Sequence, residues 1–133
     1  MFNKNKFRLE VQMFFDSAHR LPDSENLITK KCASLHGHTY HCKVSFESKR
    51  NDRSGMVVDF KGIKTIVDEL DHKFINDLFE QWNLEMSTTA ENIAKVIHSL
   101  VSAKYPDLQN VVVELCEGFK GRENSSYVIY GNE

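Results

Sequence analysis

Three histidines in the first third of the chain have a spacing that could bind one metal ion. His36 and His38 are separated only by Gly37, and residues two apart on a strand point to the same side. His19 follows an earlier segment of alternating apolar residues and could supply a third imidazole. Three histidines are a common ligand set for catalytic zinc, whereas structural zinc sites usually have four Cys or His ligands. Histidines on the surface or in hydrogen bonds are the simpler alternative, but the nearby Cys32 favours a metal site.

Cys32 has two plausible roles because it lies in a polar segment four residues before His36. As a fourth ligand it would complete a closed structural site. As a free thiolate, favoured by the cation and by Lys30 or Lys31, it could take a proton from a substrate. Cys42 alternates with apolar residues and is expected in the core.

Five further polar residues could contribute to a site or have purely structural roles. Asp71 and His72 are adjacent near the end of a predicted helix, where a histidine is already favoured by the helix dipole. Glu114 lies in an apolar run, so it either faces solvent from an edge strand or anchors a ligand with paired N–H donors. Thr88 and Glu91 have the spacing of a helix capping box.

The apolar pattern predicts two kinds of element. Apolar residues alternate in two segments that are typical of strands, residues 7–15 and 36–46, and the apolar runs 111–116 and 127–130 are interpreted as two closing strands. They recur at three- and four-residue intervals in two predicted helices, one over residues 60–74 after the N-cap Asp59 and one from Thr88 to just before Pro106. The order strand, strand, helix, helix, strand, strand favours an α+β fold with a four-stranded antiparallel sheet and both helices on one face. The other face would be only partly covered, which suggests self-association.

Composition limits the class of protein. The chain has 133 residues with 17 Lys and Arg against 19 Asp and Glu, a formal charge of −2, which we interpret as one domain over residues 1–133. This charge balance argues against broad binding to nucleic acid or to an anionic membrane surface. No apolar run is long enough for a membrane span or a secretory signal. The odd number of cysteines, 3, favours free thiols in a cytoplasmic protein.

Five motifs in order resemble the family of the 6-pyruvoyl-tetrahydropterin and 6-carboxytetrahydropterin synthases. They are FDSAHRLP at 15–22, CASLHGH at 32–38, GMVVDF at 55–60, LDH at 70–72 with Asn76-Asp77, and TTAEN at 88–92. The resemblance spans nearly the whole chain. It implies the tunnelling fold and a ring-like homo-oligomer, suspected to be a hexamer, with active sites between subunits.

The resemblance also implies a role for each site residue. These residues are the zinc ligands His19, His36 and His38, the catalytic base Cys32, its relay partners Asp71 and His72, and the pterin contacts Glu114, Thr89 and Glu91. The family usually has Thr after the anchoring glutamate. This chain has Leu115 there, so Glu117 is the alternative anchor.

The three residues between Cys32 and His36 resemble the bacterial 6-carboxytetrahydropterin synthases of queuosine biosynthesis. That resemblance implies conversion of 7,8-dihydroneopterin triphosphate to 6-carboxytetrahydropterin, acetaldehyde and triphosphate, with zinc as a Lewis acid. The alternatives are a 6-pyruvoyl-tetrahydropterin synthase and a non-catalytic module with a structural zinc site whose four ligands are Cys32 and the three histidines. On charge alone, the candidates for binding the triphosphate are Arg20, Lys30 and Lys31, followed by Lys43 and Arg122.

Overall fold

The computed structural model describes residues 6–22 and 33–131. Their elements are β1 (Lys6–His19), β2 (His36–Lys49), α1 (Phe60–Asp68), β3 (Lys73–Phe74), α2 (Ile75–Gln81), α3 (Ala90–Lys104), β4 (Gln109–Glu117) and β5 (Val128–Gly131). This arrangement confirms the predicted α+β class. No helix within the described ranges is long and apolar enough to cross a membrane.

The strands form one sheet in the order β3-β1-β2-β4-β5. All neighbours are antiparallel except β1 and β3, which are parallel. The predicted four-stranded antiparallel sheet is therefore wrong in detail, because the described sheet is five-stranded and mixed. The additional strand β3 has only 2 residues, which is too short to produce an alternating pattern in the sequence.

The core lies between the helices and one face of the sheet. Alternate residues of β1, β2 and β4 are buried on this face, and the apolar stripes of α1 and α3 pack against them. The strand residues include Val11, Met13, Phe15, Tyr40, Cys42, Val44, Val113 and Leu115. The prediction that Cys42 is a core residue is confirmed, and the two predicted helices, α1 and α3, cover one face of the sheet. The predicted number of two helices is wrong, because the short helix α2 is a third.

The first helix is shorter than its apolar pattern predicted. Asp59 caps it as expected, since its Oδ1 accepts a hydrogen bond from the Lys61 N–H at 2.9 Å. The helix ends at Asp68, not at residue 74. His72 has a φ of 56°, and this left-handed residue turns the chain so that Phe74 pairs with β1 in β3. Leu70 is thus buried in a turn, and Phe74 is partly buried in a short strand.

The N-terminus of α3 differs from the predicted capping box. The N-cap is Thr89, whose Oγ1 accepts a hydrogen bond from the Asn92 N–H at 3.3 Å. Thr88 is buried and contacts the end of β1 instead, so the prediction that Thr88 and Glu91 form a capping box is wrong. The helix ends at Lys104, before Pro106 as predicted.

The second face of the sheet is less well covered by the chain. Phe14 and Ile129 lie on it with 56% and 61% of their surface exposed. Large apolar side chains exposed on one face of a sheet are compatible with burial against another chain. Self-association through this face stays a prediction.

Candidate metal and ligand site

Strand pairing brings the three histidines together. His19 is the last residue of β1, and the antiparallel register places it opposite His36, the first residue of β2. His38 lies on the same face as His36 because side chains alternate along a strand. The possible ligand atoms of the three rings all lie within 4.8 Å of one another. The two strands therefore present three imidazoles to one point at the helix-covered face.

Hydrogen bonds orient two of these rings. The Nδ1 of His19 lies 2.7 Å from the Thr88 carbonyl oxygen, and the Nδ1 of His36 lies 2.7 Å from the Ser34 carbonyl oxygen. A carbonyl can only accept, so each neutral ring carries its proton on Nδ1 and has a lone pair on Nε2. Carbonyl partners of this kind are common for metal-binding histidines.

The burial of the free nitrogens fits a metal site. The Nε2 atoms of His19 and His38 are buried without a hydrogen-bond partner among the described residues. Burial lowers the pKa of His38, and the neighbouring His19 and His36 lower it further, against the opposing effect of Glu117. Neutral imidazole is the form that binds metal. Three imidazole nitrogens, two of them buried without a partner, suit Zn²⁺.

Glu117 is the carboxylate that lies beside the histidines. It ends β4 and pairs with Tyr40 of β2, so it shares the helix-covered face with His38. Its carboxylate oxygens lie 3.9 Å from the His19 Nε2 and 3.7 Å from the His38 Nε2. The Glu117 side chain is 32% exposed, so it can also contact a ligand that enters from solvent.

Glu114 lies on the opposite face of the sheet. Its Oε2 accepts a charge-assisted hydrogen bond from the Lys43 Nζ at 2.6 Å, and Arg122 lies 3.8 Å from its other oxygen. Glu114 is buried in β4, which β5 flanks, so it is not a solvent-facing residue of an edge strand either. Glu117, and not Glu114, lies beside the histidines, which favours Glu117 as the pterin anchor, and the identity of the anchor stays a prediction. Lys43 and Arg122 also lie on this opposite face.

Tyr40 is a core residue that lies beside the histidines. Its ring stacks on Phe15 with centroids 4.8 Å apart and lies 5.6 Å from the His38 ring. Its hydroxyl is buried and has no hydrogen-bond partner among the described residues. Burial raises the pKa of Tyr40, and the charge of Glu117 raises it further. The sequence signal was its position two residues after His38, which places it on the same face.

Asp71 and His72 form a separate cluster. The Asp71 carboxylate lies 2.9 Å from the His72 Nδ1 and accepts a hydrogen bond from the Asp16 N–H at 2.8 Å. The Asp16 N–H is the main cause that lowers the pKa of Asp71, and His72 lowers it further. The His72 side chain is 79% exposed. The pair lies in a turn after α1 and not in the helix, which corrects its predicted location.

The start of α3 is connected to the metal ligands through Thr88 and Asn76. The Asn76 side chain makes two hydrogen bonds of 3.0 Å with the backbone of Arg20, which follows His19. The Thr88 hydroxyl lies 3.2 Å from the Arg20 carbonyl oxygen. Thr89 caps α3, and Glu91 is exposed in its first turn. Among the described residues, no hydrogen bond joins the side chain of Thr89 or of Glu91 to any of the three histidines.

The remaining predicted residues divide between described and undescribed segments. Cys32, Lys30 and Lys31 lie outside the described residues. Arg20 lines a cavity of about 670 Å³ together with Ala33, the residue after Cys32. The cavity adjoins the backbone that carries His19, so a ligand in it would lie close to the metal site.

Comparisons with known proteins agree on one family. The family model for 6-pyruvoyl tetrahydropterin synthase matches residues 8–130. Two relatives are named 6-carboxy-5,6,7,8-tetrahydropterin synthase. The Synechocystis sp. protein is 35% identical over 77% of this chain and 81% of its own, and the Bacillus subtilis protein is 30% identical over 93% and 84%. The solved structure of Caenorhabditis elegans 6-pyruvoyl tetrahydropterin synthase has the same fold, with a TM-score of 0.65 and 23% identity over 100% of both chains.

Proposed function

The chain belongs to the 6-pyruvoyl tetrahydropterin synthase family, and from this premise we propose that it is a zinc-dependent 6-carboxytetrahydropterin synthase. The proposed reaction converts 7,8-dihydroneopterin triphosphate to 6-carboxytetrahydropterin, acetaldehyde and triphosphate. It would be one step of queuosine biosynthesis and would take place in the cytoplasm. The observation that carries the proposal is the convergence of three imidazoles beside the Glu117 carboxylate.

His19, His36 and His38 would hold the zinc ion through their Nε2 atoms. Zinc held by three neutral histidines supplies Lewis-acid chemistry, which acidifies a neighbouring C–H bond and polarises a carbonyl group. The carbonyl groups of Thr88 and Ser34 keep two of these rings in the tautomer that zinc needs.

Glu117 would anchor the pterin ring. The ring presents adjacent N–H donors, and a carboxylate can accept both in a bidentate pair. Within the described residues, the Glu117 carboxylate has no ion-pair contact shorter than 3.7 Å, its distance to the His38 Nε2. Glu114, in contrast, is already held by Lys43. Thr89 and Glu91 would add further pterin contacts.

The proton-transfer residues would come from Cys32, Asp71 and His72. Cys32 acts as the base, and Asp71 orients His72 through the 2.9 Å contact so that the His72 Nε2 is free. The Asp71–His72 pair forms a cluster apart from the histidine site, and most of the His72 side chain is exposed. A homo-oligomer, proposed to be a hexamer, would bring this pair to the site of a neighbouring subunit. Arg20, Lys30 and Lys31 are the proposed contacts to the triphosphate.

The choice of the carboxy product is supported by the names of the most similar relatives and by the Cys32 to His36 spacing. The test is to incubate zinc-loaded protein with 7,8-dihydroneopterin triphosphate and to identify the small product. Release of acetaldehyde supports the proposal. A pyruvoyl side chain with no aldehyde would assign the 6-pyruvoyl-tetrahydropterin synthase reaction instead.

A coordination measurement tests the non-catalytic alternative. Zinc with three nitrogen ligands and an exchangeable water supports catalysis. Sulfur from Cys32 in the first coordination shell, together with no turnover, would indicate a closed structural site and would overturn the proposal.

A further inference from the structure

The Tyr40 hydroxyl is a buried polar group that the proposed chemistry does not use. Tyr40 has no exposed surface, and its hydroxyl has no hydrogen-bond partner within the described residues. Burial of a hydroxyl without a partner is costly, and most buried polar groups in proteins are paired. Phenylalanine would fill the same space beside Phe15 without this cost, so the hydroxyl calls for an explanation.

The location of Tyr40 links the hydroxyl to the ligand site. Tyr40 lies on the same face of β2 as His38, and Glu117 is its direct neighbour on β4. Cross-strand neighbours have Cβ atoms about 5 Å apart. The Tyr40 ring also lies 6.2 Å from the His19 ring. The Tyr40 ring therefore lies beside the residues that would hold the metal ion and the pterin.

Ligand binding would change what the Glu117 carboxylate can accept. His19 carries its proton on Nδ1, so its Nε2 donates no hydrogen bond to Glu117 with or without an ion. A pterin ring on Glu117 would displace the water that reaches this partly exposed side chain. The two oxygens of one carboxylate offer about four lone-pair sites, and two pterin N–H donors fill only half of them. The unpaired hydroxyl of Tyr40, the strand neighbour of Glu117, is a donor that can fill one of the remaining sites.

We propose that Tyr40 is a positioning residue whose hydroxyl donates a hydrogen bond to the Glu117 carboxylate when a pterin is bound. The bond would hold the carboxylate in the orientation that accepts both pterin N–H groups. This inference rests on the proposed function, since it assigns Tyr40 a role in binding the same ligand. It assigns a function to a hydroxyl that has no hydrogen-bond partner among the described residues.

The test compares Tyr40→Phe with the parent protein in the zinc-loaded state. The dissociation constant for neopterin, a fluorescent pterin without the triphosphate, should rise about tenfold, the change that corresponds to ~1.4 kcal/mol. The zinc content should not change. The melting temperature without pterin should stay the same or rise by a few degrees, since only an unpaired hydroxyl is removed. A matched control is Tyr105→Phe, whose hydroxyl contacts Gly62 of α1, and neopterin binding should be unaffected in that variant.

A double-mutant cycle with Glu117→Gln tests the route of the effect. If Tyr40 acts through Glu117, the double variant should bind neopterin about as weakly as Glu117→Gln alone. Additive losses would overturn the inference, as would unchanged binding in Tyr40→Phe or a melting temperature that falls by about 8 °C or more. If the zinc-loaded parent protein itself binds no neopterin, the pterin assignment fails together with this inference. Normal binding by the parent with a silent Tyr40→Phe variant overturns the inference alone.

Discussion

Glu114 and Glu117 lie only three residues apart, but their substitution to glutamine should have opposite consequences. Glu114 is buried on the face of the sheet opposite the helices, and its carboxylate accepts a 2.6 Å charge-assisted hydrogen bond from Lys43. Glu117 is partly exposed on the helix-covered face, and its contacts of 3.7 Å and 3.9 Å are with the imidazole nitrogens of His38 and His19. We expect Glu114→Gln to affect stability and Glu117→Gln to affect pterin binding.

The size of the stability effect follows from the contacts of Glu114. Hydrogen bonds to charged groups contribute about 1.5–3 kcal/mol. Lys43 keeps a second carboxylate, Glu10, at 3.8 Å, so it is not left without a charged partner, and we expect a loss of about 2 kcal/mol rather than the 3–5 kcal/mol of a fully broken buried pair. For a chain of this length, that loss lowers the melting temperature by about 8 °C. Glu117→Gln should change stability by less than about 1 kcal/mol, as expected for an exposed pair.

The effect on binding should be the reverse. Replacing Glu117 removes one half of a bidentate, charge-assisted pair with the pterin, which we expect to weaken neopterin binding about 100-fold, or ~2.8 kcal/mol. Glu114→Gln should bind neopterin with the affinity of the parent protein. The assays are thermal unfolding at one fixed protein concentration and fluorescence titration of the zinc-loaded variants.

Two results would refute this reasoning. One is a Glu114→Gln variant that keeps its melting temperature and loses neopterin binding, which would restore Glu114 as the anchor. The other is a Glu117→Gln variant that binds neopterin normally. A variant of Lys43 to methionine is the matched control, because it should reproduce the loss of stability without a loss of binding.

Three further predictions concern the metal ligands, their support and a buried histidine. Cys32→Ala should retain zinc and lose turnover, whereas His36→Ala should lose zinc; equal loss of zinc in both variants, measured by metal analysis, would contradict the assigned roles. Asn76→Ala should weaken zinc binding about tenfold, because the Asn76 side chain holds the backbone next to His19. An unchanged dissociation constant for zinc in a chelator competition would show that zinc binding does not need these hydrogen bonds. Burial is the main cause that keeps the pKa of His41 below its ordinary value of 6.5. At acidic pH the folded chain therefore binds fewer protons than the unfolded chain. The contribution of His41 to the free energy of unfolding should be complete above about pH 6.5 and should fall as the pH decreases. Denaturant unfolding at several pH values should give a smaller decrease for His41→Gln than for the parent protein, and parallel curves would contradict this assignment.

Local pattern was sufficient for several features of the site. The alternation of β1 and β2 predicted that His36 and His38 share a side, because the direction of a strand side chain depends only on sequence parity. It also predicted the core position of Cys42. The two long helices were located by their apolar stripes, and the N-cap Asp59 by its residue type. These are local properties, so the sequence carries them directly.

The choice between the two glutamates is different. Both faces of β4 look apolar in sequence, since Val111, Val113 and Leu115 alternate with Val112 and Cys116. Only the pairing of β4 with β2 shows which set meets the helices, and that pairing places Glu117 beside the histidines.

By itself, the sequence determined the kind of elements, the three candidate ligands and the family. The tertiary structure alone decided that β3 adds a parallel strand, that Thr89 and not Thr88 caps α3, and that Tyr40 leaves a hydroxyl beside Glu117. The physical reason is the range of the interactions. Side-chain direction and capping chemistry act over a few residues, whereas the partner of a buried polar group is set by strand register and by contacts such as Thr88 with His19, which are 69 residues apart.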